Sequence, residues 1–236
     1  MTQLIIALVA FVGGHFLLSH PLRHPLIQAL GQRGFQGLYA LMATLTLVWV
    51  VIAYSKAPAV SLWEPPALAY PVGVVLMLLA LILFLGSLVQ PNPTLMGSVG
   101  VHGEAAAAAP RLSGAPRGVV AITRHPMMWG FGLWAISHAL VNGDAATIFL
   151  CLGIAILALV GAALQDRRKA VEFGPAWHDF AARTAYIPFN AQITGRLPWR
   201  TAWPGWLVVV GGISLFVIFT YLHEALFGAP ALAFWS

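Results

Sequence analysis

Long apolar segments alternate with short polar stretches along this chain. Six segments are almost free of charged side chains, and the stretches between them contain most of the charged residues. A helix needs about 20 apolar residues to cross a hydrocarbon core of roughly 30 Å, and backbone groups facing lipid must be paired within the helix. The pattern predicts an all-α, polytopic membrane helix bundle of about six transmembrane helices, at residues 3–19, 37–54, 71–89, 126–141, 145–164 and 204–227.

The connections between these segments carry signals of helix breaks. Pro21 and Pro25 stand between the first two segments, and each removes a backbone donor and disfavours helix in the residue before it. The longest connection, from Gln90 to Ile122, is rich in Gly, Pro and Ala. A loop of this length is usually mobile or functional.

The segment after the fifth predicted span differs from the others. Residues 165–185 combine basic side chains with aromatic ones such as Trp177, which predicts an interfacial amphipathic helix with aromatic anchors among the lipid headgroups. No internal repeat is visible. We therefore expect a single domain over residues 1–236, with a core at 3–200 and a last span at 204–227.

Composition sharpens this interpretation. Only 8% of the residues are charged and 60% are hydrophobic, whereas a soluble domain carries about 25% charged residues. The pI near 9.9 would suit a nucleic-acid partner, but the basic residues are dispersed among apolar spans. Topology and contact with anionic lipids explain them better, so no nucleic-acid partner is expected.

The positions of the basic residues predict the orientation in the membrane. Lys56 lies in the second connection, whereas the other basic residues fall in the first, third and fifth. Basic loops remain in the cytoplasm, so the pattern predicts a bacterial inner (cytoplasmic) membrane protein with its N-terminus outside and its first span retained. The basic residues of the inner connections are Arg23, Arg33, Arg111, Arg117, Arg124, Arg167, Arg168, Lys169, Arg183, Arg196 and Arg200.

Two histidines within predicted spans are the first candidates for chemistry. Polar groups at membrane depth are costly, so His15 and His138 indicate either function or a hydrogen bond across a helix interface. Counting 1.5 Å per residue from opposite membrane faces places them within several ångströms of the same depth. Two such imidazoles suit a bis-His haem between helices. The single Cys151 excludes a haem attached through a CxxCH motif.

Other histidines fit this role less well. His125 lies 13 residues before His138, which puts the two on different faces of a helix, about 140° apart. His20 and His24 have the spacing of a helical metal site, but the adjacent prolines break the helix there.

A second group of polar residues falls on the cytoplasmic side. Arg124 precedes the fourth span, and Arg167 with Arg168 follows the fifth. These guanidinium groups could bind an anion such as a haem propionate or a phosphate. Alternatively, they set topology and contact lipid headgroups.

Several motifs resemble the NnrU family of bacterial membrane proteins, which is associated with denitrification and nitric-oxide-linked growth. Together they cover the chain from the first span to about Arg200. The motifs are Gly14-His15-Phe16-Leu17-Leu18-Ser19-His20-Pro21, Gln32-Arg33-Gly34-Phe35, Ile122-Thr123-Arg124-His125-Pro126, Trp134-Ala135-Ile136-Ser137-His138, Asn142-Gly143-Asp144, Asp166-Arg167-Arg168, Gly174-Pro175-Ala176-Trp177 and Ile187-Pro188-Phe189.

The same motifs resemble the plant zeta-carotene isomerases, which bind haem b non-covalently. That resemblance implies His15 and His138 as axial ligands and metal-binding residues, with the Arg-His-Pro histidine, His125, as the alternative ligand and catalytic candidate. It further implies a redox-gated cis–trans isomerase of an apolar substrate such as a carotenoid, with haem and membrane lipids as partners.

Two other functions remain open from the sequence. One is a non-enzymatic haem- or nitric-oxide-responsive membrane factor. The other is methyl transfer from S-adenosylmethionine, because Arg-His-Pro followed by Glu172, Gly174, Trp177 and Pro188 is similar to membrane methyltransferases of the isoprenylcysteine and phospholipid type.

Overall fold

A computed structural model of the protein describes residues 1–95, 112–228 and 231. These residues are predominantly helical, which confirms the predicted all-α membrane bundle. Residues 96–111, which include much of the predicted loop from Gln90 to Ile122, lie outside the described part. The helices are α1 Thr2–Ser19, α2 Arg23–Ser55, α3 Ala69–Val89, α4 Val119–Ile122, α5 Pro126–Val141, α6 Ala145–Phe173, α7 Pro175–Arg183, α8 Asn190–Ile193 and α9 Trp206–Phe227.

The long helices make this a multi-pass membrane protein. Of the helices in the described ranges, α1, α2, α3, α6 and α9 are long and apolar enough to cross a membrane. The fourth predicted span forms α5, whose 16 residues extend only about 24 Å. It packs between the longer helices α3 and α6, which cover it within the bundle.

The first connection contains a short helical part of its own. Residues 23–55 form α2, which breaks at Gly31, where φ is 69° and ψ is 170°, so it comprises two helical parts. Pro25 is tolerated because the first turn of a helix needs no donor from that residue. The guanidinium of Arg23 lies 5.2 Å from the ring centroid of Phe35, whereas twelve residues of one straight helix span about 18 Å. The part before Gly31 therefore folds back against the longer part after it, which contains the second span that we predicted to start at residue 37.

Two apolar clusters hold the bundle together. One joins α3 with α4, α5, α7 and α9, and the other joins α1 with α2 and α6. Small residues let α3 approach its neighbours closely, as is common between membrane helices. A Cβ at Gly86 would lie 2.4 Å from Cγ1 of Val119, and a Cβ at Gly130 would lie 3.0 Å from the carbonyl oxygen of Ala80.

The predicted interfacial segment contains two helices. The helix after the fifth span continues without interruption to Phe173, and the chain turns at Gly174, where φ is 52°. The apolar side of α7 carries Trp177 and Phe180, each 2% exposed within the first apolar cluster. The expectation that Trp177 anchors among headgroups is therefore wrong, because this side chain is buried against the protein.

The connections rich in basic residues meet at one end of the bundle. Nη2 of Arg183 donates to the carbonyl oxygen of Leu112 at 2.7 Å, and Oγ1 of Thr94 donates to that of Arg124 at 2.9 Å. At the other end, Ser61 forms a backbone bridge with Asp144. We call the end that holds the α1–α2 turn, the start of α5 and the end of α6 the basic end.

Candidate functional site

The Arg-His-Pro motif forms the start of α5 at the basic end. Pro126 occupies the first helical turn, where its missing donor costs nothing. The residues before it are fixed from another part of the chain. The backbone N–H of Arg124 donates to the carbonyl oxygen of Ala185 at 2.8 Å, and Oγ1 of Thr123 donates to that of Tyr186 at 2.6 Å. These bonds fix the direction in which the motif's side chains project.

Asp166 of α6 is the partner of both Arg124 and His125. Its Oδ2 accepts from Nε of Arg124 at 2.8 Å and also from Nη2, while its Oδ1 lies 2.6 Å from Nε2 of His125. Since an ionised carboxylate can only accept, Nε2 of His125 carries the proton. Asp166 had no predicted role. Its position directly after a span, next to Arg167 and Arg168, is the signal that could have identified it.

His125 is held neutral with one nitrogen unused. Its side chain is 0% exposed, and Nδ1 has no hydrogen-bond partner. Burial lowers the pKa of His125 below its usual value, the charges of Arg124 and Lys169 act in the same direction, and Asp166 opposes them. The neutral tautomer with a proton on Nε2 leaves an acceptor lone pair on Nδ1 inside the protein.

A polar network connects this group to the loop after α3. Nζ of Lys169, a residue only 4% exposed, donates to the carbonyl oxygen of Pro93 at 2.9 Å. The same ammonium group lies 5.5 Å from the ring centroid of Phe173 and 5.6 Å from that of Trp177, which stabilises a buried cation. Nε2 of Gln165 donates to the carbonyl oxygen of Thr94 at 3.2 Å. The network therefore fastens the loop over Asp166.

A π-helical turn lies beside the same group. Residues 156–160 of α6 have π geometry, which alters the usual pairing of helical carbonyls and is frequent at functional sites. The hydroxyl of Tyr186 donates to the carbonyl oxygen of Leu159. The Tyr186 ring also lies 5.7 Å from that of His125 and 6.1 Å from that of Trp129, between centroids. Tyr186 thus connects the π turn to His125.

The two histidines within the spans have the same local geometry. Nδ1 of His15 lies 2.7 Å from the carbonyl oxygen of Phe11, and Nδ1 of His138 lies 2.9 Å from that of Trp134. A carbonyl only accepts, so each Nδ1 carries the proton. Among the described residues neither Nε2 has a hydrogen-bond partner. Metal-binding histidines commonly donate one ring N–H to a backbone carbonyl in this way.

The contacts with α6 give the relative depth of these histidines. A Cβ at Gly153 would touch Leu8 of α1, and a Cβ at Gly132 of α5 would touch Leu159. Counting along the helices from these contacts, His15 lies about seven residues, or roughly 10 Å, nearer the basic end than His138. The sequence predicted more similar depths for the two histidines. The difference arises because α1 and α5 are offset along α6, which the sequence does not reveal. Axial ligation by the two residues stays a prediction.

The three predicted anion-binding arginines lie in different surroundings. Arg124 is engaged by Asp166, Arg167 is exposed, and Arg168 has a buried Nε without a partner. Their common role in binding a cofactor also stays a prediction. No cluster of three or more His, Cys, Asp or Glu residues within the described ranges could hold a metal ion. That finding does not bear on haem, which needs only one or two histidine ligands.

Comparison with known proteins adds to this geometry. A model of the NnrU family, described as NnrU protein, matches residues 3–231. The chain is also similar to the chloroplastic 15-cis-zeta-carotene isomerase of Zea mays, with 36% identity over 87 residues that cover 37% of this chain and 24% of the relative. For the Arabidopsis thaliana protein of the same name, the identity is 38% over 79 residues, covering 34% and 22%. These matches span about a quarter of each relative's length. No solved structure matches.

Proposed function

This chain belongs to the NnrU family, and on that premise we propose that it is a haem-b-binding membrane isomerase. Its substrate would be an apolar polyene, such as a carotenoid, in which one cis double bond is converted to trans. The reaction rotates a C=C bond and changes neither the atoms nor the number of electrons. The local similarity to two proteins named 15-cis-zeta-carotene isomerase supports this class of reaction.

The observation that carries the proposal is the shared geometry of His15 and His138. Each Nδ1–H is bonded to the carbonyl four residues earlier, so each Nε2 is unprotonated and able to bind iron. Each residue could therefore bind the iron of haem b through Nε2, and their joint ligation of one iron is what the proposal predicts. When bound, haem b would supply redox chemistry at its iron.

His125 would act beside the haem rather than as one of these two ligands. Asp166 fixes the imidazole in the tautomer that presents the Nδ1 lone pair, and burial keeps the ring neutral. Arg124 holds the carboxylate in place from the other side. This arrangement would keep His125 neutral and immobile while substrate is bound.

The apolar substrate would enter from the lipid. A cavity of about 370 Å³ lies between α1 and α6 and is lined by apolar side chains. Val9 and Leu152, which line it, are more than half exposed on the bundle surface.

We place the protein in the bacterial inner membrane with the basic end in the cytoplasm, as the distribution of Arg and Lys indicates.

An absorption spectrum of the purified protein tests haem binding. Protein from haem-replete cells should show a Soret band, which His15→Ala and His138→Ala should abolish or shift. His24→Ala is the matched control, because His24 is exposed and lies outside the spans. A protein without a Soret band, or one whose band is lost only in the control, would refute the assignment.

An isomerisation assay separates the enzyme from a haem-containing sensor. The protein should convert 15-cis-zeta-carotene to its trans isomer in membranes, and His125→Ala should abolish conversion. A haem-containing protein that leaves the isomer ratio unchanged would instead favour a non-enzymatic role linked to nitric oxide.

A further inference from the structure

We propose that Arg23, Arg168 and His20 form an oxyanion site at the basic end, which binds the phosphate of an anionic phospholipid. Within the described ranges none of these residues hydrogen-bonds to Asp166, although the charges of Arg23 and Arg168 also act on Lys169 of the polar network. The site also needs no haem, because neither His15 nor His138 contributes to it.

Helix geometry places Arg168 against the α1–α2 turn. A Cβ at Gly161 of α6 would lie 3.7 Å from the ring of Phe16 in α1. Arg168 follows seven residues later, two helical turns towards the basic end and on nearly the same face. His20 follows Phe16 by four residues. The backbone N–H of Arg23 donates to the carbonyl oxygen of His20 at 3.4 Å. The three side chains therefore converge where α1 ends and α2 begins.

The positive charges of this cluster are not neutralised. Arg23 and Arg168 are close enough to act on one another, and after burial both lower the pKa of His20. Glu172 is the carboxylate that acts on Arg168, yet no salt bridge joins either arginine to a carboxylate within the described ranges. Two neighbouring guanidinium groups with one nearby carboxylate create a preference for an anion.

Unused donors give the cluster its selectivity. Nε of Arg168 is buried without an acceptor, so this guanidinium group lacks its full set of hydrogen bonds. The guanidinium of Arg23 lies 5.2 Å from the ring centroid of Phe35, which orients it without occupying its donors. Arginine binds phosphate through paired N–H groups, so a tetrahedral oxyanion would satisfy both side chains together.

The position at the end of three helices favours a lipid as the source of the phosphate. His20, Arg23 and Arg168 are partly exposed, and the large apolar residues nearby, Leu17 and Leu22, face outward. A phospholipid would place its phosphate on the arginines and its acyl chains along α1. Clusters of basic residues at the cytoplasmic ends of helices bind anionic headgroups in this way.

Lipid titration of the purified, delipidated protein, followed by native mass spectrometry, tests this site. We expect phosphatidylglycerol to bind more tightly than phosphatidylcholine. Arg23→Gln and Arg168→Gln should each weaken phosphatidylglycerol binding about tenfold. Arg167→Gln is the matched control, because it removes the same charge from the exposed neighbouring position and should change the affinity less than about twofold.

Two further measurements make the outcome decisive. Glu172→Gln removes the carboxylate that acts on Arg168, so it should tighten phosphatidylglycerol binding. This variant keeps both arginines, so it tests the site even where an arginine variant folds poorly. Equal losses in Arg167→Gln and Arg168→Gln, or equal binding of the two lipids, would overturn the site. The third measurement follows the thermal unfolding of the wild type with inorganic phosphate alone. If phosphate stabilises the protein as much as phosphatidylglycerol does, and Arg168→Gln loses this stabilisation, the oxyanion site is kept but the lipid is overturned as its ligand.

Discussion

The two apolar clusters of the bundle differ in what their closest approaches meet. Around α3 and α5, an added Cβ at Gly130 would lie 3.0 Å from the backbone of Ala80, and one at Gly86 would collide with the branched side chain of Val119. On α1, a Cβ at Gly14 would meet only the end of the flexible Met42 side chain, and nothing lies within 4 Å of a Cβ at Gly13. The histidines follow the same division, since His125 is fully buried whereas His15 is only partly so.

This contrast separates a rigid part of the molecule from an adaptable one. Close packing and bonded polar groups around α3 and α5 fix the Arg-His-Pro motif in one geometry. The α1 side carries the apolar cavity and the proposed oxyanion site, and it has room for molecules from the membrane. A protein that takes apolar ligands from lipid needs both, because an immobile reactive group must meet a surface that opens to the bilayer.

Removing the carboxylate at the centre of the rigid part should have the largest effect. Asp166→Asn leaves the partly buried charge of Arg124 without its partner, and it weakens the bond to His125. Breaking a fully buried pair typically costs roughly 3–5 kcal/mol, and because these two side chains are 15% and 17% exposed, the loss should lie towards the lower end of that range. Chemical unfolding in detergent measures the loss, with the exposed Asp179→Asn as control. A loss of less than about 1 kcal/mol would show that the pair behaves as a surface ion pair.

Adding one methyl group to each side tests the packing contrast directly. Gly86→Ala should destabilise by about 1–3 kcal/mol, because its Cβ meets Val119 and Val208. Gly13→Ala should stabilise by about 0.5–1 kcal/mol, because the helix gains an alanine without a clash. Thermal unfolding of both variants measures the difference, and the same sign in both would contradict the contrast.

The bond between Tyr186 and the π turn should contribute a smaller amount. Tyr186→Phe leaves the carbonyl of Leu159 without this donor, at a cost of about 1–2 kcal/mol. Tyr221→Phe, which alters an exposed tyrosine, should be neutral. Unfolding free energies of the two variants measure the effect. Equal stabilities would mean that the π turn does not need Tyr186.

Acid should weaken the rigid part through His125. Because burial lowers the pKa of His125 in the folded state, the unfolded chain takes up a proton first as the pH falls below about 6.5. The unfolding free energy therefore decreases from that pH downward, towards the lowered pKa of the folded state. His125→Gln should flatten this decrease between about pH 6.5 and about pH 5.5, whereas the exposed His178→Gln should not. Unfolding at several pH values measures both slopes, and parallel slopes would exclude His125 as their source.

Much of the architecture could be predicted from the sequence because hydropathy acts locally. The apolar segments placed the spans, and Asn142-Gly143-Asp144 marked the turn between the fourth and fifth. The distribution of Arg and Lys predicted which connections share one end. The short helical part before Gly31 was not predicted, because Pro21 and Pro25 favour a break there and its fold-back against Phe35 depends on tertiary contacts. Trp177 was misplaced because an aromatic residue on an amphipathic helix suits a headgroup as well as a protein core.

The sequence by itself determined the membrane class of this protein, its helices and the presence of histidines within two spans. These properties follow from residue type and spacing along one helix. Only the tertiary structure paired Asp166 with His125, connected Tyr186 to the π turn and brought Arg168 to the turn beside Arg23. Each of these contacts joins residues far apart in the chain. Their register depends on how the helices pack and turn, which the pattern within a single helix does not specify.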